Sequence, residues 1–517
     1  MWPTRDIYAQ RSCDQWHADV TAVEGRVEVR RVARQTWAVL ATGERVCSGD
    51  TLRSAASSRA TFTLIDGTTL SLDEHSVLGT PEPASGDGSL IELLRGVIHI
   101  ISRDPRLLLF TTPYANAGLE GTEFDIRVDE AARSTEVVVL EGAVSVTTPA
   151  GAISVPSDHI AVAKEGEAPT AMPYADPIEA MRWASYFPPL IDAALPGADQ
   201  EPIAAQLADA DFYAQRAAAR LTTARIAAAE ADIESALRID SRNANALSLS
   251  ALLSLARADR DTARRFLDDA LAAEPSSVVA RLAASHLEQS SAQLAAAEHL
   301  LREAAALEPD NTIVLTRLAE IALGRGDSKA AIASAMRARD LAPAQSEPLV
   351  VLGFASLRAF DTAAAEHAFA AAIEREPNLP MAHLGAGLTA TQRGDLAEGR
   401  RQLELAVALN PANPLARSYM AKFYDAENRG KLTTSQLELA KEFDPGDPTP
   451  WLYSSLHRLR SNQPVEALQD LQAASRRNGD RPVFRSSLSI EEDVATASAG
   501  IGRVYNELGF SRLALNE

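Results

Sequence analysis

The strongest constraint in this 517-residue sequence is a proline that recurs every 34 residues. These prolines are Pro275, Pro309, Pro343, Pro377, Pro411 and Pro445. Alanine stands five residues before each of them, and again twelve residues before several. Such a period indicates stacked helix pairs, in which small side chains let two helices approach closely and proline ends the second helix. The period therefore predicts an all-α solenoid of eight full repeats over residues 210–481.

Glycines complete a pattern that resembles the tetratricopeptide repeat (TPR). Gly353 and Gly387 take the small position of the first helix, and Gly326 and Gly394 take the turn between the two helices. The first repeat has Ser241 at the proline position, and the last repeat has glycine there. The resemblance implies a superhelix whose first helices line a concave groove for a protein or peptide partner.

Carrying the groove positions of such repeats along the array gives a mainly apolar stripe. The candidate groove residues are Val279, Leu282, His286, Ile313, Thr316, Glu320, Val350, Phe354, Leu384, Leu388, Leu415, Lys422, Leu452 and Leu456. The stripe lacks the Lys, Arg and Asn cluster expected of repeats that grip a carboxylate terminus. Either these residues pack inside their own repeats, or together they form a patch suited to an amphipathic helix or to an element of the same protein.

Residues 19–165 show short runs of alternating β-formers punctuated by glycine, which predicts an all-β domain. In the run from 60 to 72, alternate apolar residues share one face on either side of Asp66-Gly67, a pair typical of a tight hairpin turn. The run from 134 to 146 repeats this arrangement around Glu141-Gly142. The sequence therefore predicts a hairpin at each of the two acidic-residue–glycine pairs.

The β segments also resemble the FecR domain, in order along about 150 residues. The matching segments are VEGRVEV (23–29), Trp37, GERVCSGDTLRS (43–54), TFTLIDGTTLSLDEHS (61–76), LLRGVIHI (93–100), FTTPYANAGLEGTEFDIRV (110–128) and VVVLEGAVSV (137–146). The resemblance implies a periplasmic domain that receives a signal from an outer-membrane transporter and relays it through a transmembrane helix to a σ factor. This sequence departs from that plan, because no apolar run is long enough to form the helix.

The resemblance favours a location in the periplasm or at the outer membrane. Residues 1–18 form an N-terminal extension without the apolar core of a signal peptide, so the protein is either cytoplasmic or a mature form whose signal has been removed. Cys13 and Cys47 are the two cysteines, either both reduced or joined in an oxidising compartment. With the envelope location, we expect them to form a disulfide.

Two further segments complete the expected organisation. Residues 166–209 are rich in proline and predict a stiff adaptor with a short helix anchored by Trp183, Tyr186 and Phe187. Residues 482–517 contain an insertion and then a ninth repeat that resumes at Ala495 and is incomplete at Glu517. Repeat arrays need a polar capping repeat, so we expect the natural polypeptide to continue, or a partner to cover the end.

Composition and the motif search argue against several classes of partner and activity. A net charge of −20 and a pI near 5.0 argue against nucleic acid and anionic membranes as partners. We find no catalytic motif, and no enzyme activity, cofactor or metal site is predicted. His99 and His286 stand singly, for which a structural role is expected.

The sequence thus predicts a non-enzymatic envelope scaffold that works through protein–protein contacts. One alternative is the periplasmic section of an exporter whose outer-membrane barrel lies beyond Glu517. Another is a FecR-type sensor that acts through a separate membrane partner. The sequence does not predict the identity of the partner or the oligomeric state.

Overall fold

The computed structural model describes residues 17–32, 36–80, 89–103, 108–119, 122–173, 187–191, 209–223, 225–257, 259–291 and 293–477. The chain divides into two compact units, Met1–Ala180 and Met181–Glu517. The predicted short helix of the adaptor, with Trp183 and Tyr186, and the predicted ninth repeat lie outside the described residues, as does most of the N-terminal extension.

The first unit contains β-strands. They are β1 (His17–Glu24), β2 (Val27–Arg30), β3 (Trp37–Val39), β4 (Arg45–Cys47), β5 (Thr51–Ser54), β6 (Arg59–Leu64), β7 (Thr69–Leu72), β8 (Val77–Gly79), β9 (Ser89–Ile101), β10 (Leu108–Thr111), β11 (Asn116–Leu119), β12 (Glu123–Asp129), β13 (Ser134–Glu141), β14 (Ala143–Thr148), β15 (Gly151–Pro156), β16 (His159–Lys164) and β17 (Thr170–Pro173). The prediction of an all-β N-terminal domain is confirmed.

The strands form two sheets that share β9. The first sheet has the order β4-β1-β6-β7-β9-β12-β13-β16-β17, with all neighbours antiparallel. The second has the order β3-β2-β5-β8-β9-β10-β11-β14-β15, in which β9 and β10 are parallel. The first half of β9 pairs in the second sheet, and the half from Gly96 to Ile101 pairs in the first. A single long strand therefore passes from one sheet to the other.

Gly96 marks the point where β9 changes sheets. Its φ of +90° lies in the left-handed region, and a Cβ there would lie 2.5 Å from the Cα of Ser76. Only glycine meets both conditions without strain. The two sheets pack on each other through one apolar cluster that contains residues of both, including an edge-to-face pair formed by Phe110 and Phe124 with ring centroids 5.9 Å apart.

The predicted hairpin at Asp66-Gly67 is confirmed, and the prediction of a hairpin at Glu141-Gly142 is wrong. β6 and β7 form the hairpin around Asp66-Gly67, where Gly67 has a φ of +85° and the backbone N–H of Thr68 donates to the Asp66 carboxylate. Around Glu141-Gly142, however, β13 pairs with β12 and β16, while β14 pairs with β11 and β15. Gly142 therefore turns the chain from one sheet to the other, because a glycine with positive φ permits a corner as readily as a hairpin.

The second unit contains helices in antiparallel pairs. They are α1 (Ala210–Thr222), α2 (Ile226–Ile239), α3 (Ala244–Ala256), α4 (Arg260–Ala273), α5 (Val278–Ser290), α6 (Leu294–Leu307), α7 (Thr312–Gly324), α8 (Ser328–Leu341), α9 (Glu347–Arg358), α10 (Thr362–Arg375), α11 (Pro380–Gln392), α12 (Leu396–Leu409), α13 (Pro414–Ala426), α14 (Gly430–Phe443), α15 (Pro448–Arg460) and α16 (Pro464–Arg477). This arrangement confirms the predicted α-solenoid.

The repeat register explains the packing of the array. The alanines five residues before the prolines, among them Ala338 and Ala406, are fully buried where helices meet. First helices also contact each other across repeats, as α3 does with α5 and α13 with α15. Before the array, Phe187 is buried with the residues of α1, and its backbone N–H donates to the carbonyl of Leu221.

Candidate protein-binding surface of the repeat array

The structure divides the predicted groove residues into buried and accessible sets. The buried ones are Leu282, His286, Thr316, Val350, Phe354, Leu384, Leu415 and Leu452. Val279, Ile313, Glu320 and Leu388 are partly exposed, and Lys422 and Leu456 are exposed. Phe354, for example, packs edge to face on Phe369 with ring centroids 5.0 Å apart. The buried set stabilises the array, so a partner can reach chiefly the remaining positions.

The two exposed groove residues, Lys422 and Leu456, lie on α13 and α15. Tyr419, Lys422, Tyr453 and Leu456 lie there on first helices, and we call them the groove-end cluster. The ring centroids of Tyr419 and Tyr453 lie 5.8 Å apart, and the angle between the ring planes is 61°. The Lys422 Nζ lies 5.3 Å from the centre of the Tyr453 ring. Although Lys422 is exposed overall, partial loss of water around its ammonium lowers its pKa.

A charged group lies beside this cluster on the same two helices. The Asp425 carboxylate lies 2.7 Å from the Nδ1 of His457 and also pairs with Arg460. Arg458 pairs with the buried Asp470 at 3.0 Å. The Asp425 contacts join α13 to α15, and the Arg458–Asp470 pair joins α15 to α16. Arg460 remains more than half exposed.

A second polar group lies between α5 and α7, where the sequence predicted groove residues His286 and Glu320. The buried Arg317 links Glu320 to α5, because it donates to Glu320 Oε2 at 2.7 Å and contacts Gln289. Burial and the Arg317 charge hold the pKa of His286 well below its usual range, so its ring is neutral. Sequence reasoning missed Arg317, since nothing in its local pattern indicates burial.

A further set of residues missed from the sequence closes the turns between repeats. Arg281 Nη2 and Arg417 Nε donate to the carbonyls of Pro275 and Pro411 at 2.8 and 2.6 Å. His383 Nε2 lies 2.7 Å from the carbonyl of Pro377. Each of these side chains stands six residues after its proline. The repeat register could therefore have revealed this structural role.

The first unit contains a buried charged cluster. The fully buried His99 lies 2.6 Å from Asp125 through Nδ1 and 3.4 Å from Glu123 through Nε2. Arg103 joins Glu123 at 3.1 Å and also pairs with Glu141. Burial lowers the pKa of His99, but hydrogen bonds to the two carboxylates outweigh it and raise that pKa to about 9. His99 is therefore a charged structural residue at neutral pH.

Cys47 is buried and disulfide-bonded. The only other cysteine in the sequence, Cys13, lies outside the described residues. The pairing of these two residues stays a prediction.

The part of the chain that the structure describes contains neither a candidate membrane-spanning helix nor a candidate metal-binding cluster. None of the helices there is both long and apolar enough to cross a bilayer. Among the same residues, no three His, Cys, Asp or Glu side chains come together in a way that could hold a metal ion.

A comparison with protein families supports the FecR resemblance of the first unit. A family model described as FecR protein matches residues 50–145. A protein from Parabacteroides distasonis ATCC 8503, described as an anti-sigma factor, is 20% identical over 26% of this chain and 66% of its own, with a TM-score of 0.24. The chain thus spans slightly less than two thirds of that protein. No curated protein matches the chain.

Two solved structures of repeat proteins are similar to the second unit. A tetratricopeptide repeat protein from Parabacteroides merdae ATCC 43184 is 16% identical over 49% of this chain and 98% of its own, with a TM-score of 0.36. YrrB, a TPR protein with an unusual peptide-binding site, is 21% identical over 36% of this chain and 95% of its own, with a TM-score of 0.26. The chain thus joins a segment that matches the FecR family model to an array of helix pairs of the TPR type.

Proposed function

We propose that this protein is a non-enzymatic scaffold of the bacterial envelope that binds a segment of another protein at the groove-end cluster. The observation that carries the proposal is the exposure of Lys422 and Leu456 beside two paired tyrosines on adjacent first helices. Tyrosine offers a large contact area at low entropic cost, and it is enriched among residues that dominate binding energy.

The chemistry of the cluster favours a particular kind of partner. Tyr419, Tyr453 and Leu456 provide apolar surface, whereas Lys422 and the nearby Arg460 provide positive charge in a chain whose net charge is −20. Partial desolvation of the Lys422 ammonium raises the energetic value of an opposing carboxylate. The preferred ligand is therefore a segment with apolar side chains and at least one acidic group.

Two observations support an envelope location. The FecR family is associated with the bacterial envelope, and its model matches residues 50–145. Cys47 is disulfide-bonded, and structural disulfides persist in oxidising compartments such as the periplasm. We place the protein in the periplasm or at the outer membrane.

Site-specific photo-crosslinking in cells tests the proposed binding surface. A photoreactive residue at Leu456 should form a defined adduct, and Tyr453→Ala in the same chain should abolish it. The matched control carries the photoreactive residue at Met336, which is 41% exposed on the second helix α8. Equal adducts from both positions, or an adduct that persists in Tyr453→Ala, would show that the groove end is not the binding surface.

A FecR-type sensor acting through a separate membrane partner is a second candidate function, favoured by the family match over residues 50–145. The edge strand β3 offers a contact point, since Val39 is 61% exposed there. A photoreactive residue at Val39 should then form an adduct with a membrane protein. An adduct from Leu456 alone would favour the scaffold.

A further inference from the structure

The first sheet carries buried apolar side chains on the face that points away from the second sheet. Ile101 and Val138 are 3% and 2% exposed, yet neither belongs to the apolar cluster between the two sheets. Their chain neighbours Ile100 and Val139 do belong to that cluster. Because successive side chains of a strand point to opposite faces, Ile101 and Val138 lie on the outer face of the first sheet.

One row of residues shows which part of the outer face is buried. Residues that stand directly opposite each other on neighbouring strands, from β7 to β17, are Ser71, His99, Asp125, Val138, Ile160 and Met172. The first four are at most 6% exposed, Ile160 is partly exposed, and Met172 is 50% exposed. A charged histidine and a carboxylate in this row are therefore shielded from water, although they point out from both sheets.

The described residues of the first unit do not explain this burial. Every strand in that part of the chain belongs to one of the two sheets, and the second sheet packs on the opposite face of the first. No described strand therefore lies over the outer face. Since the burial arises within one molecule, a segment of the first unit outside the described residues has to cover it.

Two such segments adjoin the first sheet and are long enough to cross it. The N-terminal extension enters at β1, where the outward side chain of Asp19 is 57% exposed, so the outer face is open on that side. Residues 174–180, the first part of the adaptor, leave β17 at the other edge and still belong to the first unit. The adjoining strand β16 presents Ile160 and Val162, which are apolar and only partly exposed. The distribution of exposure favours residues 174–180.

The length of this segment fits the face. Neighbouring strands lie about 4.8 Å apart, so the four intervals from β17 to β9 measure about 19 Å. Residues 174–180 span at most about 25 Å when extended. They also contain Tyr174 and Ile178, which can cover apolar side chains.

We propose that residues 174–180 fold back from β17 and pack on the outer face of the first sheet, with Ile178 against Val138 and Ile160. The occupant of this docking surface is a segment of the same chain, and its apolar side chains match the apolar half of the row. Its seat also keeps water from the charged cluster around His99, which would otherwise lose its buried surroundings. The outer face is consequently closed to other proteins while the segment is bound.

Photo-crosslinking within the full chain identifies the covering segment. A photoreactive residue at Ile160 should form its main crosslink with a peptide that contains residues 174–180, mapped by mass spectrometry after digestion. The matched control is a photoreactive residue at Leu109, which is 39% exposed on the outer face of the second sheet and should not crosslink to that peptide. A main crosslink from Ile160 to the N-terminal extension or to the array, or no crosslink at all, would overturn the proposal.

Thiol accessibility tests the cover in a second way. Cys47 is disulfide-bonded, so a cysteine introduced by Val138→Cys can be followed with a thiol reagent. It should react slowly, and Ile178→Asp in the same chain should raise its rate roughly tenfold or more. Deletion of residues 1–12 should leave it protected, and Ser145→Cys, at an exposed position of β14, should react fast in every background. A rate unchanged by Ile178→Asp, or raised by the deletion alone, would overturn the proposal.

Discussion

Replacing Gly353 by alanine should destabilise the array through one buried ring. A Cβ at Gly353 would lie 2.6 Å from two atoms of the Phe369 ring, whereas carbon atoms in contact lie about 3.5–4.0 Å apart. The ring would have to move by roughly 1 Å. The ring cannot move freely, because it is fully buried. On its other side is Gly385, in the first helix of the next repeat, where an added Cβ would lie even closer to the ring than one at Gly353.

The expected magnitude follows from two opposing effects. Overpacking a core costs about 1–3 kcal/mol, and two contacts at 2.6 Å place this clash in the upper half of that range, about 2–3 kcal/mol. Alanine improves on glycine in a helix by about 1 kcal/mol. We expect Gly353→Ala to lower the free energy of unfolding by about 1–2 kcal/mol. A Phe369→Leu background removes the two closest ring atoms, Cε1 and Cζ, so the same substitution should cost less there.

Urea unfolding followed at 222 nm reports the helical array and allows all four members of the cycle to be compared. Gly430→Ala is the matched control, since its Cβ would lie 3.5 Å from the nearest atom of His457, an ordinary contact. That variant should be neutral or stabilising. The reasoning fails if Gly353→Ala is as stable as the wild type, or if its destabilisation is unchanged in the Phe369→Leu background.

Four further predictions follow from the contacts described above. Phe360 has a φ of +60° in the turn between α9 and α10, and asparagine tolerates positive φ better than phenylalanine does, so Phe360→Asn should raise the free energy of unfolding by about 0.5–1 kcal/mol, measured by urea unfolding; equal or lower stability would show that the phenylalanine is not strained. Asp232→Ala should lower it by about 3–5 kcal/mol, since Arg216 and Arg220 both pair with that buried carboxylate at 2.6 and 2.7 Å; a loss below 1 kcal/mol would argue against the pairing. Ala338→Leu should cost about 1–3 kcal/mol by overpacking a helix interface. The pKa of His99 rises on folding from 6.5 to about 9, so its stabilising contribution is complete below pH 6.5 and is lost as the pH rises through 9; hydrogen exchange of β9, corrected for intrinsic rates, should show this loss in the wild type and not in His99→Gln.

The array could be predicted from the sequence because its packing repeats. Alanines such as Ala338 recur where backbones approach closely, and proline recurs where a helix ends, so the register specifies both. The exposure of the groove residues could not be predicted in the same way. Leu384 and Leu388 occupy successive turns of α11, yet one is fully buried and the other is partly exposed. Their burial depends on side chains from neighbouring helices, which the period does not specify.

The β domain shows a similar division. Its strands and the Asp66-Gly67 hairpin follow from local alternation and turn chemistry. The charged cluster depends on pairing between distant strands, since His99 and Asp125 stand directly opposite each other on β9 and β12. Local patterns carry no information on that register, and for the same reason they did not distinguish the corner at Gly142 from a hairpin.

The strand β9 also determines how the β domain can unfold under mechanical load. Its first half completes one sheet and its second half completes the other, so tension or local melting that detaches β9 removes an interior strand from both sheets at once. Each sheet is then divided into two groups of four strands, and the two groups are no longer hydrogen-bonded to each other. The domain should therefore rupture in one mechanical event, so that a load transmitted through the chain is either borne by the whole domain or released completely.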